Sequence, residues 1–447
     1  MKSASILSSA FLRSAGQALP TALLTLRFDK ASALADLVLP TRKTENWKYS
    51  ARHLKLTDDM ASALPISSAD AANNPVGSLI DSPVNTAAYN AGYTVVLING
   101  VVQPQASSYP VLEGLSIQCF SDLNEDDAVL AAELLSKSIS DQPAKSGSVN
   151  LSQLNGARFE DGLLIQLKPG TVIDQPLFVI HHTTASHSGS AYPCILVAAG
   201  SNSQFTLVED YVSSGDCSVM VNTATEFSIA DGANVTSVRL NTEGQNVQHM
   251  GTTGVRQQRS SRFESHSVGF GGTLRRHDLH VRLEGEGAEC KLNGVVVTRG
   301  SQHYDNHTTI EHVAANCNSE ETYRNIAADK SHAVFNGRIH IHQDAQKSNA
   351  NMSNKNLLLT SGAEIDTKPE LEIYADDVLC AHGATIGQLD KQSIFYLVSR
   401  GLSPHDAKVL LTMAFINELV DQIPIEQVRT IANIGLNQFF DQAFQEV

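Results

Sequence analysis

The hydrophobic and polar positions divide the chain into three stretches with different periods. Residues 1 to 92 read as a mostly helical region. Ile6, Leu7, Ala10 and Phe11 share one face of a first helix, and Leu34, Leu37 and Leu39 mark a second segment, from Ala31, that Pro40 stops. Pro40 to Tyr49 holds the only tryptophan, Trp47, which reads as a packing anchor. Met60 to Ala88 is rich in Ala, Ser, Asn and Pro and reads as irregular.

From 93 to 389 the period changes to two. Short apolar runs succeed one another: Thr94–Ile98, Leu163–Leu167, Leu177–Ile180, Cys194–Val197, Phe205–Val208, Val235–Leu240, Leu279–Leu283, Gly294–Thr298, Arg338–His342 and Leu371–Tyr374. A helical insertion near 125–138 interrupts them, with Ala128, Val129, Leu130, Leu134 and Leu135 at helical spacing. Few long helices lie between the strands, so a doubly wound sheet is not expected. A degenerate repeat runs through this block: Gly170, Gly200, Gly232, Gly287 and Gly362 each precede a short strand, 30, 32, 55 and 75 residues apart. Glycine before a strand suits a corner that needs positive φ or close backbone approach, and Gly200 and Gly232 are expected to adopt positive φ. Stacked corners describe a β-solenoid; a β-sandwich with glycine turns also fits the pattern.

From 390 to 447 the helical period returns. Lys391–Arg400 ends at Gly401, Ser403-Pro404 supplies an N-cap and a first-turn proline, and Pro424 separates two further helices. Ala407, Leu410, Leu411, Ala414 and Phe415 share a face, which suggests a helix packed against its neighbours and a partner. A cut after Gly387 is expected to leave the solenoid folded.

Composition narrows the function classes. The chain has 447 residues, 47 acidic against 32 basic, for a net charge of −15, so a general nucleic-acid binder is not expected. Hydrophobic residues at 42% with 18% charged exclude a largely disordered chain. Six cysteines without CxxC spacing read as reduced thiols in a cytoplasm. No apolar run approaches the roughly 20 residues of a membrane helix. The first acid is Asp29, which is faintly like a transit peptide; an ordinary amphipathic first helix fits better.

No P-loop, GxSxG, HExxH, CxxC or helix-opening GxGxxG is present, so neither ATP binding nor a catalytic centre is expected. Asp376-Asp377 reads as a solvated turn. Several histidine groups have metal-compatible spacing: His340/His342, which share a strand face, His277/His280, and His303/His307/His312. Each is more often a structural histidine. In Cys380-Ala381-His382 a thiol and an imidazole share a strand face, a ligand pair suited to iron or Fe–S species. Two ligands do not hold a cluster, so from the residues alone a buried thiol beside a structural histidine is the first reading.

One resemblance shifts that balance. The segment Lys368-Pro369-Glu370-Leu371-Glu372-Ile373-Tyr374-Ala375-Asp376-Asp377-Val378-Leu379-Cys380-Ala381-His382-Gly383-Ala384-Thr385-Ile386-Gly387 resembles the signature of the SufB/SufD family of Fe–S cluster assembly proteins, as does Ile394–Leu402 beyond it. Val334–Arg338, Asn354–Leu359, Asp305–Thr308 and Gly271–Leu279 are similar to the same family, so the likeness covers nearly the whole chain. It is closer to the SufD type than to the SufB type: Pro40–Tyr49 resembles the SufD N-terminus, and Ser353–Asn356 lacks the cysteine that SufB chains carry before the next apolar run.

The resemblance implies a right-handed parallel β-helix flanked by N- and C-terminal helical regions. It implies a non-enzymatic scaffold in the SUF system that pairs with a SufB-like sister subunit and binds a SufC-like ATPase through its C-terminal helices. A transient Fe–S cluster would be shared at the subunit interface, with His382 and Cys380 as ligands, and His382 is favoured because a neutral imidazole need not lose a proton first. Cluster type, sulfur donor, flavin binding and a homodimer of the isolated chain are left open. A β-helix enzyme acting on polysaccharide is the alternative; one Trp and 6% aromatic content weigh against it.

Overall fold

The computed structural model describes residues 19–33, 40–56, 92–140, 152–184, 188–216 and 218–445. The helix expected from Ile6, the end of the segment stopped by Pro40 (34–39) and the irregular stretch 60–88 lie outside these residues.

The strands form two ten-stranded sheets whose members alternate along the chain. Strands 204–214, 234–241, 262–270, 289–298, 318–327, 349–358 and 379–388 stack in one sheet, and 219–229, 247–257, 274–283, 303–312, 332–341 and 364–373 in the other. All pair in parallel. This is a β-solenoid: each coil contributes one strand to each sheet and covers the apolar residues of the coil before it. Residues of like position stack in columns. Phe205 lies beside Val235, Val235 beside Phe263, and Phe263 beside Cys290, all in the buried core between the sheets. Burying a large apolar side chain is worth about 1.5–3 kcal/mol, so each coil is stabilised chiefly by its neighbours.

The corners explain the repeat. Gly170, Asn202, Gly232, Ser260, Gly287, Asn316 and Lys347 all have positive φ and succeed one another at 32, 30, 28, 27, 29 and 31 residues. Each donates its backbone N–H to a carbonyl of the next coil: Gly170 to Ser201, Asn202 to Asp231, Gly232 to Arg259, Ser260 to Glu286, Gly287 to Ala315, Asn316 to Gln346 and Lys347 to Asp377. Four of the seven are not glycine, which is why the glycine spacing lengthens along the sequence. Gly232 has the expected positive φ; Gly200 does not. The residue at that corner is Asn202. Glycine at 200 answers a different need, since a Cβ there would lie 2.5 Å from the Leu167 carbonyl oxygen.

Helices cover the outer faces. Helix α1 (Thr21–Ala33), α2 (Glu125–Ser140) and α3 (Ser152–Arg158) pack over the early strands of the second sheet, with Leu23, Leu135 and Leu154 against Leu196 and Met220. Helices α4 (Lys391–Ser399), α5 (Pro404–Val420) and α6 (Glu426–Gln445) come after the solenoid. The last two lay Ile416, Leu419, Leu436 and Phe440 over Val208, Val238, Val268 and Val295 of the first sheet. A cut after Gly387 would strip this cover from the first sheet. The segment 44–55 forms a strap across the later strands of the second sheet. Gln248 bonds Lys55, Arg276 stacks its guanidinium 4.2 Å over Trp47, and Lys368 pairs with Glu45.

The two ends of the solenoid differ. At the start, Tyr93–Ile98 turns through Asn99-Gly100, both at positive φ, into an antiparallel partner, Val101–Val102, while Leu115–Cys119 lies antiparallel to Leu163–Leu167. These short antiparallel strands blunt the first coil. No such device closes the last coil among the described residues.

Candidate functional site

The open end is built by strands Glu364–Ile373 and Leu379–Gln388, each paired on one side only among the described residues. Between them Asp376 and Asp377 form an exposed bend, as expected. Leu379 is 74% exposed, and Ile373, Tyr374 and Ile386 are exposed as well. A Cβ at Gly383 or Gly387 would meet nothing within 4 Å, so another backbone can approach this strand closely.

Cys380 and His382 lie on this strand, in register with Ala350 and Met352. Those two residues are buried in the core. Cys380 and His382 therefore face the solenoid interior at its open end, where no further described coil covers them. Cys380 packs partly against the core, and burial pushes its thiol up. His382 is exposed. A groove of about 890 Å³ crosses the starts of the neighbouring strands, passing Arg262, Glu264, Lys291 and Glu320 and ending at Leu379, Cys380 and Ala381.

The apolar stripe of the C-terminal helices is divided. Ala407 is buried, Leu411 and Phe415 are half-buried, and Leu410 and Ala414 are exposed. Helix α5 buries Ala407, Thr412, Ile416, Leu419 and Val420, of which Ile416, Leu419 and Val420 join the apolar cluster over the first sheet. Helix α4 buries no residue, and Phe395 is 74% exposed.

The other histidine groups separate. His340 and His342 do share the outer face, with rings stacked 4.3 Å apart, beside Glu372 and Glu311. His277 bonds Thr253 and His280 bonds Glu311, so the i, i+3 pair is divided between two faces. His312 bonds Ser319 and His307 pairs with Asp305. His303 instead meets His53 and His332, a convergence that spacing could not reveal because about 250 residues separate the first from the others. Inside the early coils, Glu243 accepts from Arg275 at 2.7 Å and from His249 at 2.9 Å, while Arg239 donates to the other nitrogen of His249 at 2.6 Å. Burial opposes the Glu243 charge, but His249, Arg275 and Arg239 outweigh it and hold the carboxyl at about 2. Glu321 has no such cations among the described residues, and burial pushes its carboxyl up to about 7. The described cysteines are free thiols. No helix among the described residues is long and apolar enough to cross a membrane.

Residues 181–415 match the family described as SUF system FeS cluster assembly, SufBD core domain. The chain is 30% identical over 419 residues to an iron-sulfur cluster assembly SufBD family protein of Synechocystis, covering 91% of this chain and 89% of that protein. It is 29% identical over 407 residues to the iron-sulfur cluster assembly protein SufD of Escherichia coli, covering 89% of each. Over 284 residues it is 28% identical to the chloroplastic protein ABCI7 of Arabidopsis thaliana, covering 62% of this chain and 60% of that one.

Proposed function

The chain belongs to the SufB/SufD family of the SUF system, with a role in iron–sulfur cluster assembly, and on that premise we propose that it is a non-enzymatic scaffold subunit of SufD type. Its open last strand, Leu379–Gln388, receives a SufB-like sister subunit, and the interface between them holds a nascent cluster. His382 is the principal ligand from this chain and Cys380 a secondary one; ligands from the partner complete the set. The exposed faces of α4 and α5, with Phe395 and Leu410, receive a SufC-like ATPase.

The observation that carries this reading is the strand itself. It presents an unpaired edge, two glycines with open space beside them, and a thiol and an imidazole that face an interior no described coil closes. Adding a strand from a partner would satisfy the backbone groups and enclose the ligands in one step. No specific observation favours a polysaccharide-acting enzyme.

The test is anaerobic co-expression with a SufB-like subunit and a SufC-like ATPase, then iron and sulfide analysis. The complex is expected to co-purify and carry cluster, and His382→Ala to abolish cluster while leaving the complex intact. Cys380→Ser should act in the same direction with a smaller effect. A chain that purifies without its partners, or a His382→Ala complex with full cluster content, would overturn the assignment.

A further inference from the structure

Far along the sequence from Cys380, the strap brings Ser50, Arg52 and His53 onto the outer face of strands 303–312 and 332–341. Nitrogens of His53, His303 and His332 lie within 4.8 Å of one another, and His332 also groups with Glu364 and Asp366.

The hydrogen bonds determine which nitrogen of each ring carries a proton. The Ser50 hydroxyl donates to Asp305 Oδ2, so its remaining lone pair accepts from His303 Nε2, 2.8 Å away. That leaves His303 Nδ1 as a bare lone pair, fully buried and with no hydrogen-bond partner. His332 Nε2 donates to Asp366 Oδ2 at 2.8 Å, so its Nδ1 is also a lone pair, and Arg52 Nη2 lies 3.1 Å from it. His53 Nε2 accepts from Arg52 Nε at 2.8 Å.

Nitrogens of three imidazoles thus gather in one place. Two of them are oriented from behind by carboxylates, His332 by Asp366 directly and His303 by Asp305 through Ser50. Imidazoles held in this way are a metal-binding arrangement. Two of the three lone pairs now face a single cation, the guanidinium of Arg52. That side chain is 41% exposed and can swing into solvent. We propose that His53, His303 and His332, with Glu364 as fourth donor, form a binding site for a divalent transition ion of the zinc(II) and iron(II) class, and that Arg52 occupies it in the metal-free chain. Imidazole with carboxylate suits these borderline ions. Closing the set requires the His53 ring, now stacked 4.1 Å from His303, to rotate. A bound ion would tie the strap to two neighbouring coils.

The test uses the full chain, stripped of metal, with Cys380→Ser and His382→Ala introduced to remove the other candidate ligands. Cobalt(II) is titrated without oxygen and its visible d–d bands are monitored. One equivalent should bind and be displaced by zinc(II) or ferrous iron; displacement by neither would overturn the proposal, and the competition shows which ion is preferred. His303→Asn with His332→Gln should eliminate the bands, and Asp366→Asn should weaken binding about 10–100-fold. Bands that survive the double substitution would overturn the site. Arg52→Ala lies at a surface position and does not depend on how well the buried variants fold. It should strengthen binding about tenfold by removing the competing donor; unchanged or weaker binding would mean that the histidines serve only to clamp Arg52.

Discussion

The strand His332–Ile341 and the strand Leu379–Gln388 are built alike: ten residues, parallel pairing, alternating side chains. In the first no residue is exposed; in the second every residue but Cys380 is exposed. The difference lies in the neighbouring coil, not in the strand. His332–Ile341 is covered by another coil and Leu379–Gln388 by none among the described residues. In a solenoid, burial is conferred by the neighbour, so the last coil has a sequence suited to a covered position and lacks its cover. The first coil, by contrast, carries short antiparallel strands that blunt its end. The open end is thus suited to assembly.

This contrast can be broken in graded ways. The largest effect on stability is expected from Phe335→Ala in a covered coil, about 3–5 kcal/mol by chemical denaturation of the full chain, against within about 0.5 kcal/mol for Ile386→Ala on the open strand. Equal losses at the two positions would mean that the last coil is covered after all. Next is Gly232→Val, expected to cost about 1–3 kcal/mol, because its φ of +68° is left-handed and a Cβ would collide with Asn202 Oδ1. Denaturation midpoints of the full chain measure this loss.

Two buried carboxylates of the covered coils give opposite pH responses. Glu243, held at about 2, stabilises the fold above its unfolded value, and that contribution is lost as pH falls from about 4.5 towards 2. Glu321, raised to about 7, favours the protonated form, so its ionisation erodes stability as pH rises from about 4.5 to 7. Glu321→Gln should therefore gain about 1–3 kcal/mol at pH 8 and little at pH 5, read from denaturation midpoints. The smallest effect on the isolated chain is expected from Ile386→Lys, within about 0.5 kcal/mol, while co-purification with a SufB-like partner should be lost.

Much of this fold is legible in the residue pattern. Apolar runs such as Leu163–Leu167 and Cys194–Val197 are strands, and the helical insertion runs over Glu125–Ser140. The strands that escape such a reading are polar ones, such as His303–His312 and Asn349–Leu358, whose core-facing positions include asparagine, threonine and histidine. A strand stacked on both edges by similar coils need not be apolar throughout, so local pattern understates it. The corners are half legible because asparagine, serine and lysine take the left-handed conformation at four of seven positions. Cys380 and His382 can be singled out because a thiol and an imidazole two residues apart lie within a long family-like segment. His53, Arg52, His332 and Asp366 cannot, since only the strap brings them together; the one hint is the family-like stretch Pro40–Tyr49 immediately before them.

The column of left-handed corners also governs how such a protein can change length. Seven successive corners recur within three residues of a 30-residue period, each bonded to the coil that follows. A single residue inserted within a strand would turn every later side chain of that strand from core to surface and break the bond at the next corner. Length is therefore quantised: the chain can gain or lose a whole coil, or absorb small changes where the coil lengths already vary from 27 to 32. A sister subunit built on the same period could extend the stack as though it were the next coil, and two separately encoded chains would then behave as one longer solenoid with its joint at Leu379–Gln388.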